Sequence, residues 1–525
     1  MCNWRRRSAS RAGAGTGPGH ASTRARFVPL APTPDTVEHF DVLIVGAGLS
    51  GIGAAYYLQR DRPGASYAIL EARGATGGTW DLFRYPGIRS DSDLHTFGYE
   101  FRPWTADESI AGAGAILDYL RDTASEHGID RRVRFHHRVA RASWSSDDAR
   151  WTVTVERADT GETTQLSCNW LFTACGYYRY DQGYTPRFES RDRFRGQIVH
   201  PQHWPEDLDT AGKRVVVIGS GATAVTLVPA LAEAGAQVTM LQRTPSYVLP
   251  IPSVDPLTRL ARRVLPAERA HALMRRKHVA QQRLVWWFCQ TYPAAARRFI
   301  RWVNAKQLPD GYPVDRHFNP PYDPWDQRLC LVPDGDLFRA IREGRAEVVT
   351  DHIETFTERG IRLKSGDEIP ADVVVTATGL NLLPFGGIEL AVDGEPVRLP
   401  ETVVFKGLML SGVPNFCGAI GYTSASWTLK IGLLCEHFTR LLDYMDAHGY
   451  AVCRPVLDDP DMPTRPLLDF DAGYVKRSLD RIPRQGDRFP WLMPVDYHTD
   501  AKVLRTGRVD DEHLRFSAAP EAVPA

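Results

Sequence analysis

The chain has 525 residues, 43% of them hydrophobic and 24% charged, with 63 basic and 63 acidic side chains. That length fits about three or four domains of ordinary size, and the composition excludes a disordered or fibrous protein. The balanced charge leaves no overall attraction to nucleic acid. The eight cysteines, Cys2, Cys168, Cys175, Cys289, Cys330, Cys417, Cys435 and Cys453, hold no CxxC pair and no metal-ligand spacing, so no metal is expected. They read as free thiols in a reducing, cytoplasmic compartment.

Residues 1–34 carry six arginines and no acid in a Gly/Ala/Ser-rich background, with no apolar segment behind them. Residues 1–36 therefore read as a disordered basic extension and not as a secretory signal; an Arg-rich transit peptide is the second reading. The apolar run Val42 to Leu58 spans 17 residues but holds four glycines, so it predicts a buried strand and helix and not a membrane span.

That run is the first nucleotide motif. The β-branched stretch Asp41 to Val45 enters Gly46-Ala-Gly48-Leu-Ser-Gly51 and then an Ala-rich helical pattern. Gly46 makes the tight turn, Gly48 lets backbone approach a pyrophosphate, and Gly51 allows close helix packing. Twenty residues after Gly51 the next strand ends in Glu71, where a carboxylate can bond a ribose 2′-OH. An unphosphorylated ADP-ribose, as in FAD or NAD, is expected there.

The second motif lies 173 residues on, where Lys213 to Ile218 enters Gly219-Ser220-Gly221-Ala222-Thr223-Ala224. Its following strand ends in Gln242-Arg243-Thr244, with no acid at the ribose position. Arg243 can pair with a 2′-phosphate through its guanidinium fork and Thr244 can donate to it, which points to NADP(H). An FAD site followed by an NADPH site suits flavoprotein reductases and monooxygenases, and the missing CxxC excludes the disulfide reductases.

From Leu249 to Gln307 the pattern is helical, with twelve Lys and Arg against Asp255 and Glu268, a net charge of +10. Trp286, Trp287, Phe288, Phe299 and Trp302 punctuate it. The favoured reading is a helical domain that packs its aromatics over a substrate cavity and solvates its arginines. The other is a basic helix lying on the inner face of an anionic membrane. Beyond it, Glu347 to Thr350 and Ala371 to Gly379 read as strands of a resumed second unit, and Gly421 to Trp427 as a loop returning to the first.

Between the two motifs, Phe194-Arg-Gly196-Gln-Ile-Val-His200-Pro-Gln-His-Trp204-Pro205 matches FxGxxxHxxxWP at every fixed position. It resembles the fingerprint of type I Baeyer-Villiger monooxygenases, which are class B flavoproteins; related N- and S-oxygenases carry a similar run without the Trp-Pro ending. His200 by itself reads as a hydrogen-bonded structural residue. The resemblance implies an interdomain linker that couples cofactor binding to domain motion. Gly77 to Asp91 and His200 to Asp209 are similar to the ethionamide-activating members in particular, and the likeness runs from about Asp41 to about Phe516.

The resemblance implies an α/β fold of two Rossmann-like dinucleotide-binding domains with a helical insertion in the second. FAD would occupy 37–175 with 380–525, NADP 176–248 with 326–379, and the insertion 249–325. Ser50, Glu71, Thr79, Trp80 and Asp91 would line the flavin, Val139 would touch the adenine, and Arg89 would join the NADP site. Asp91 and Arg328 match the family's active-site pair. Gln327 stands where the family often has Lys, which leaves more of the 2′-phosphate to Arg243.

The implied activity is NADPH-driven insertion of one oxygen atom of O2 into ketones, giving esters or lactones through a C4a-peroxyflavin, with S-oxygenation of thioethers or thioamides as a side activity. Arg328, permanently protonated, would keep the oxygen adduct anionic, and Asp91 would orient it. The alternatives are a dedicated N/S-oxygenating flavin monooxygenase and an uncoupled NADPH oxidase. A regulatory flavin-binding protein without turnover is opposed by the presence of both Asp91 and Arg328.

Overall fold

In the computed structural model, which describes residues 37–327, 329–422, 425–468, 473–494 and 496–519, the chain is organised around two sheets, the first mixed and the second parallel. The extension 1–36 and Arg328 lie outside the described residues. The 17-residue apolar run divides between β1 (Glu38–Val45) and α1 (Leu49–Asp61), and β2 (Tyr67–Leu70) pairs parallel to β1 with Val45 opposite Leu70. The paired stretches, Val42 to Val45 of β1 and all of β2, are apolar and buried, as a sheet covered on two faces requires. Next come the helices α2 (Thr79–Leu82), α3 (Leu94–Phe97) and α4 (Ala113–Glu126). Then follow β3 (Val133–Arg134), β4 (His137–Ser145), β5 (Arg150–Arg157) and β6 (Thr163–Thr173). Strands Glu389–Val392, Glu395–Pro396 and Phe416–Gly418 complete this nine-stranded sheet from far along the chain.

The second sheet is all parallel. It begins at β7 (Gln197–Val199) and β8 (Arg214–Ile218), followed by α5 (Ala222–Glu233) and β9 (Gln237–Gln242). β10 (Val248–Ile251) then leads into the insertion helices α6 (Pro256–Val264), α7 (Ala267–Thr291), α8 (Pro293–Gln307) and α9 (Val314–His317). The chain returns through β11 (Cys330–Pro333), which pairs with β10, so the insertion leaves and re-enters at one place. After α10 (Asp336–Arg342) come β12 (Ala346–Thr350), a small antiparallel sheet of β13 (Ile353–Phe356), β14 (Gly360–Leu363) and β15 (Glu368–Pro370), and then β16 (Val373–Thr376). The strand order is β12-β9-β8-β16-β7, with both segments read from sequence as resumed strands in place.

The FxGxxxHxxxWP run builds the edge of that sheet. Phe194 sits in a small core against Phe356, and a side chain at Gly196 would strike the Asp372 carbonyl at 2.4 Å. β7 follows and pairs with β16. His200 then lies 3.2 Å through Nε2 from the Gly379 carbonyl, while Nδ1 accepts from the Gln202 N–H. Those roles fix a neutral ring with the proton on Nε2, and burial lowers its pKa accordingly. The ring lies flat on Gly183, where any Cβ would come within 2.0 Å of it. One imidazole thereby ties the connecting segment, the edge strand and the exit of β16; Trp204 closes on the adjoining core, and Pro205 ends the run.

The insertion docks α7 onto α3. The buried Arg275 guanidinium donates to the carbonyls of His95 (3.0 Å), Thr96 (3.4 Å) and Gly98 (2.9 Å), taking up acceptors that the short helix leaves unsatisfied. Beside it the His95 and His278 rings stack 5.1 Å apart, with His271 6.5 Å from His95. Asp93, Asp255, Lys277 and Arg262 surround them. The favoured expectation for the insertion is corrected in one respect. Trp287, Phe299 and Trp302 are 48%, 52% and 52% exposed, because the inward faces of α7 and α8 are taken by Met274, Val279, Ala296 and Ile300.

Burial lowers His95 and His271 to about 4, with His278 and Arg275 respectively adding repulsion. Unfolded imidazoles titrate near 6.5, so the undocked segment binds more protons between those values. The docking energy is complete above pH about 6.5 and drains as pH falls toward 4, by about 2 kcal/mol per ring at pH 5. After correction for intrinsic rates, hydrogen exchange of α7 amides is expected to quicken from pH 7 to pH 5. His271→Leu should flatten that slope, and an unchanged slope would refute the cluster's role.

Candidate active site

Both sequence motifs fold into the same arrangement. Gly46 and Gly219 have φ of +103° and +138°, and a Cβ there would meet the Ala174 and Ala377 carbonyls at 2.8 and 2.4 Å. Only glycine fits a left-handed turn pressed so closely on the neighbouring strand. Gly48 and Gly221 are the N-caps of α1 and α5; neither helix has a side-chain cap or an acid in its first turn. Gly51 and Ala224 are buried just behind and keep each helix close to its turn. The first-turn N–H groups of both helices are left for an anion, which the helix dipole favours.

A cavity of about 830 Å³ joins the two. Gly46, Gly48, Ser50, Glu71, Thr79, Trp80, Val139, Arg89 and Asp91 line it from one side, and Ala222 and Thr223 at the start of α5 from the other. Its surface is mostly apolar, with a few convergent polar groups, as small-molecule sites are. A glycine turn and two open helix N-termini on one cavity fit a pair of dinucleotides.

Glu71 is buried and takes the Ala47 N–H on one oxygen (2.8 Å) and the Arg73 N–H on the other (2.9 Å). Burial raises its pKa while those two donors oppose the shift. The carboxylate therefore shapes the turn and keeps a second lone pair on each oxygen for ribose hydroxyls. Arg89 pairs with Asp336 at 2.5 Å across the two units, so its guanidinium is partly engaged. Asp91 accepts from the Ser92 hydroxyl at 3.4 Å. Ser50 receives the Trp427 indole N–H at 2.9 Å.

The rest of the second set lies outside this cavity. The Ser220 hydroxyl donates to the Thr244 carbonyl (3.0 Å) and meets Ser246 (2.8 Å), which ties the turn to the end of β9. Arg243 is exposed at that strand end and pairs with no described acid. Gln242 is buried, donating to the His317 carbonyl and the Thr350 hydroxyl.

Several cavity residues were not singled out from sequence. Tyr177, Tyr178 and Tyr180 line it just after β6, and the Tyr180 hydroxyl is 3.1 Å from Thr79. The run Gly176-Tyr-Tyr-Arg-Tyr180 was the available signal. Tyr85 lines it opposite Thr223, and burial pushes its phenol up to about 12. The Tyr422 hydroxyl donates to Asp500 at 2.5 Å, and buried Lys430 pairs with the same carboxylate at 2.5 Å. That triad anchors one end of the 421–427 loop as Trp427 and Ser50 anchor the other. Cys175 also lines the cavity; burial and nearby Glu71 push its thiol up to about 12, so it stays protonated.

Residues 40–265 match the family described as pyridine nucleotide-disulphide oxidoreductase. The chain is 53% identical over 487 residues to the FAD-containing monooxygenase EthA of Mycobacterium tuberculosis, covering 93% of this chain and 99% of that protein. It is 50% identical over 489 residues to EthA of Mycolicibacterium smegmatis, with 93% and 99% covered. Among solved structures, an oxidized steroid monooxygenase bound to NADP superposes with a TM-score of 0.71 at 24% identity, covering 91% of this chain and 100% of that one. The last comparison speaks to the fold alone.

Glu71→Ala strands the buried Ala47 N–H and is expected to cost ~1–3 kcal/mol in the first unit. Glu71→Gln keeps an acceptor and should cost less. Denaturant unfolding followed by exchange of the Ala47 amide checks both, and equal costs would refute the turn-shaping role.

Proposed function

Because the chain belongs to the class B FAD-containing monooxygenases, we propose that its cavity carries out oxygen-atom insertion into a small organic ketone. FAD and NADPH are its cofactors. The observation that carries the coarser activity is the convergence of the first glycine turn, the first turn of α5 and Asp91 on one cavity. The carbonyl acceptor is supported by the complete FxGxxxHxxxWP run, Trp204-Pro205 included.

In this reading Gly46, Gly48, Ser50, Gly51 and Glu71 hold the pyrophosphate and ribose of FAD, with Thr79, Trp80 and Val139 along its length. The first turn of α5, through Ala222 and Thr223, holds the pyrophosphate of NADPH, and Arg243 with Thr244 reads its 2′-phosphate. When bound, FAD with NADPH would supply the redox chemistry and O2 activation that side chains lack. Arg328 supplies a charge that no physiological pH removes, and its donors stabilise negative oxygen as it develops on the substrate carbonyl. Asp91 orients that guanidinium. Apolar Phe83, Ile88, Leu383 and Trp427 on the cavity wall limit water around Asp91 and the bound cofactors.

Sulfur is the second acceptor reading. It is favoured because the apolar wall presents nothing among the described residues that selects a carbonyl over a polarizable thioether or thioamide.

Purified enzyme given NADPH, O2 and matched panels of linear, cyclic and aryl ketones and sulfides is expected to yield esters or lactones. Sulfoxides alone would move the assignment to sulfur, and NADPH consumption with peroxide and no product would make it an oxidase. Arg328→Ala should abolish oxygenation while flavin absorbance survives; undiminished product from that variant would overturn the mechanism. Arg243→Ala removes a charge-assisted bond and should raise KM for NADPH about tenfold or more without changing KM for NADH.

A further inference from the structure

Nine of the twelve large apolar side chains exposed among the described residues fall within 257–302, on α6 to α8. They are ordered by helix periodicity. In α6, Leu257, Leu260 and Val264 form one stripe, 55–67% exposed, while Thr258 and Ala261 take the buried positions. A helix whose final neighbour is water places its leucines the other way. In α7, Leu273, Leu284 and Trp287 share a face with Ala280, and Tyr292 at the junction with α8 carries its ring 5.8 Å from Trp287. In α8, Phe299 and Trp302 adjoin at 6.0 Å, with the Lys306 ammonium 4.2 Å over the Trp302 ring.

Charge follows the same helices. Residues 249–307 carry +10 in a chain whose total is zero. Arg263, Arg269, Arg276 and Arg298 are exposed and pair with no described acid. Arg269 and Arg276 flank Leu273 on α7 at helical spacing.

We propose that α6, α7 and α8 form a docking surface for an anionic lipid membrane. The helices lie along it, with the Leu/Trp stripes at the acyl boundary and the free guanidiniums on phosphate groups. Trp and Tyr at the margin of an apolar stripe, and basic side chains snorkelling beside it, are the chemistry of a membrane interface. A protein partner fits less well, because protein interface cores are depleted in charge and unpaired like charges there need a matching acidic surface. No helix of the described residues is long and apolar enough to cross a membrane, so the contact is peripheral.

The test is flotation of the full-length, flavin-loaded protein with vesicles of phosphatidylglycerol and phosphatidylcholine, or of phosphatidylcholine alone, at low and high salt. Flotation with the anionic vesicles only, lost as salt rises, is expected. Each of Arg263→Gln, Arg269→Gln, Arg276→Gln and Arg298→Gln should weaken partitioning about fivefold, and the four together should abolish it. Trp287→Ser with Trp302→Ser should weaken it on its own, with flavin absorbance unchanged as the check on folding. No flotation with anionic vesicles, or undiminished flotation of the fourfold variant, would overturn the proposal. So would a dimer in analytical ultracentrifugation that Trp287→Ser and Trp302→Ser abolish in a protein that ignores vesicles, which would assign the surface to a second copy of the chain.

Discussion

An α-helix that starts on glycine, with no serine, threonine or acid to cap it, leaves its first N–H groups pointing at whatever lies beyond. Two such helices here, α1 and α5, begin on one cavity, each at the C-terminal end of parallel strands. Much of the surrounding structure serves to keep those donors open and aimed. Glu71 uses both oxygens to hold the turn before α1, and Ser220 performs the corresponding task before α5 through the Thr244 carbonyl. Neither contact competes for the first-turn N–H groups, so the anion site stays intact while the loop that carries it is rigid.

Sharing one cavity between two sheets demands that they be held in register, and three contacts of different chemistry do so. The neutral imidazole of His200 ties the connecting segment to the exit of β16. The half-buried Arg89–Asp336 pair spans from the cavity wall to the first turn of α10. Arg275 of the insertion donates to three carbonyls around α3. A fingerprint histidine that neither lines the cavity nor carries a charge at neutral pH is explained by this architectural role.

The insertion does two jobs on opposite faces. Its inner face, with Arg275, His271 and His278, is polar and docks on α3; its outer face is where the leucines and tryptophans of α6 to α8 emerge. That inversion separates the reading of the helices as a cavity cover from their role as an external surface.

Much of this was written in local sequence. Both glycine turns, Glu71 at the end of β2, the absence of an acid at the end of β9 and the resumed strands β12 and β16 follow from short-range periodicity and turn chemistry, which need no partner elsewhere in the chain. Other features needed distant segments to meet. The Tyr422–Asp500–Lys430 triad joins residues up to 78 positions apart, Arg89 meets Asp336 247 positions on, and the three histidines gather from two helices. Nor does amphipathicity alone reveal which face of a helix turns inward: the same Leu/Trp stripe serves a cavity or a surface according to what packs on its other side. The sequence by itself determined the two dinucleotide motifs and their order, because each is complete within some thirty residues. Tertiary structure alone decided that they open on one cavity, and that the aromatics of the insertion face outward, because both depend on packing between segments that no local pattern encodes.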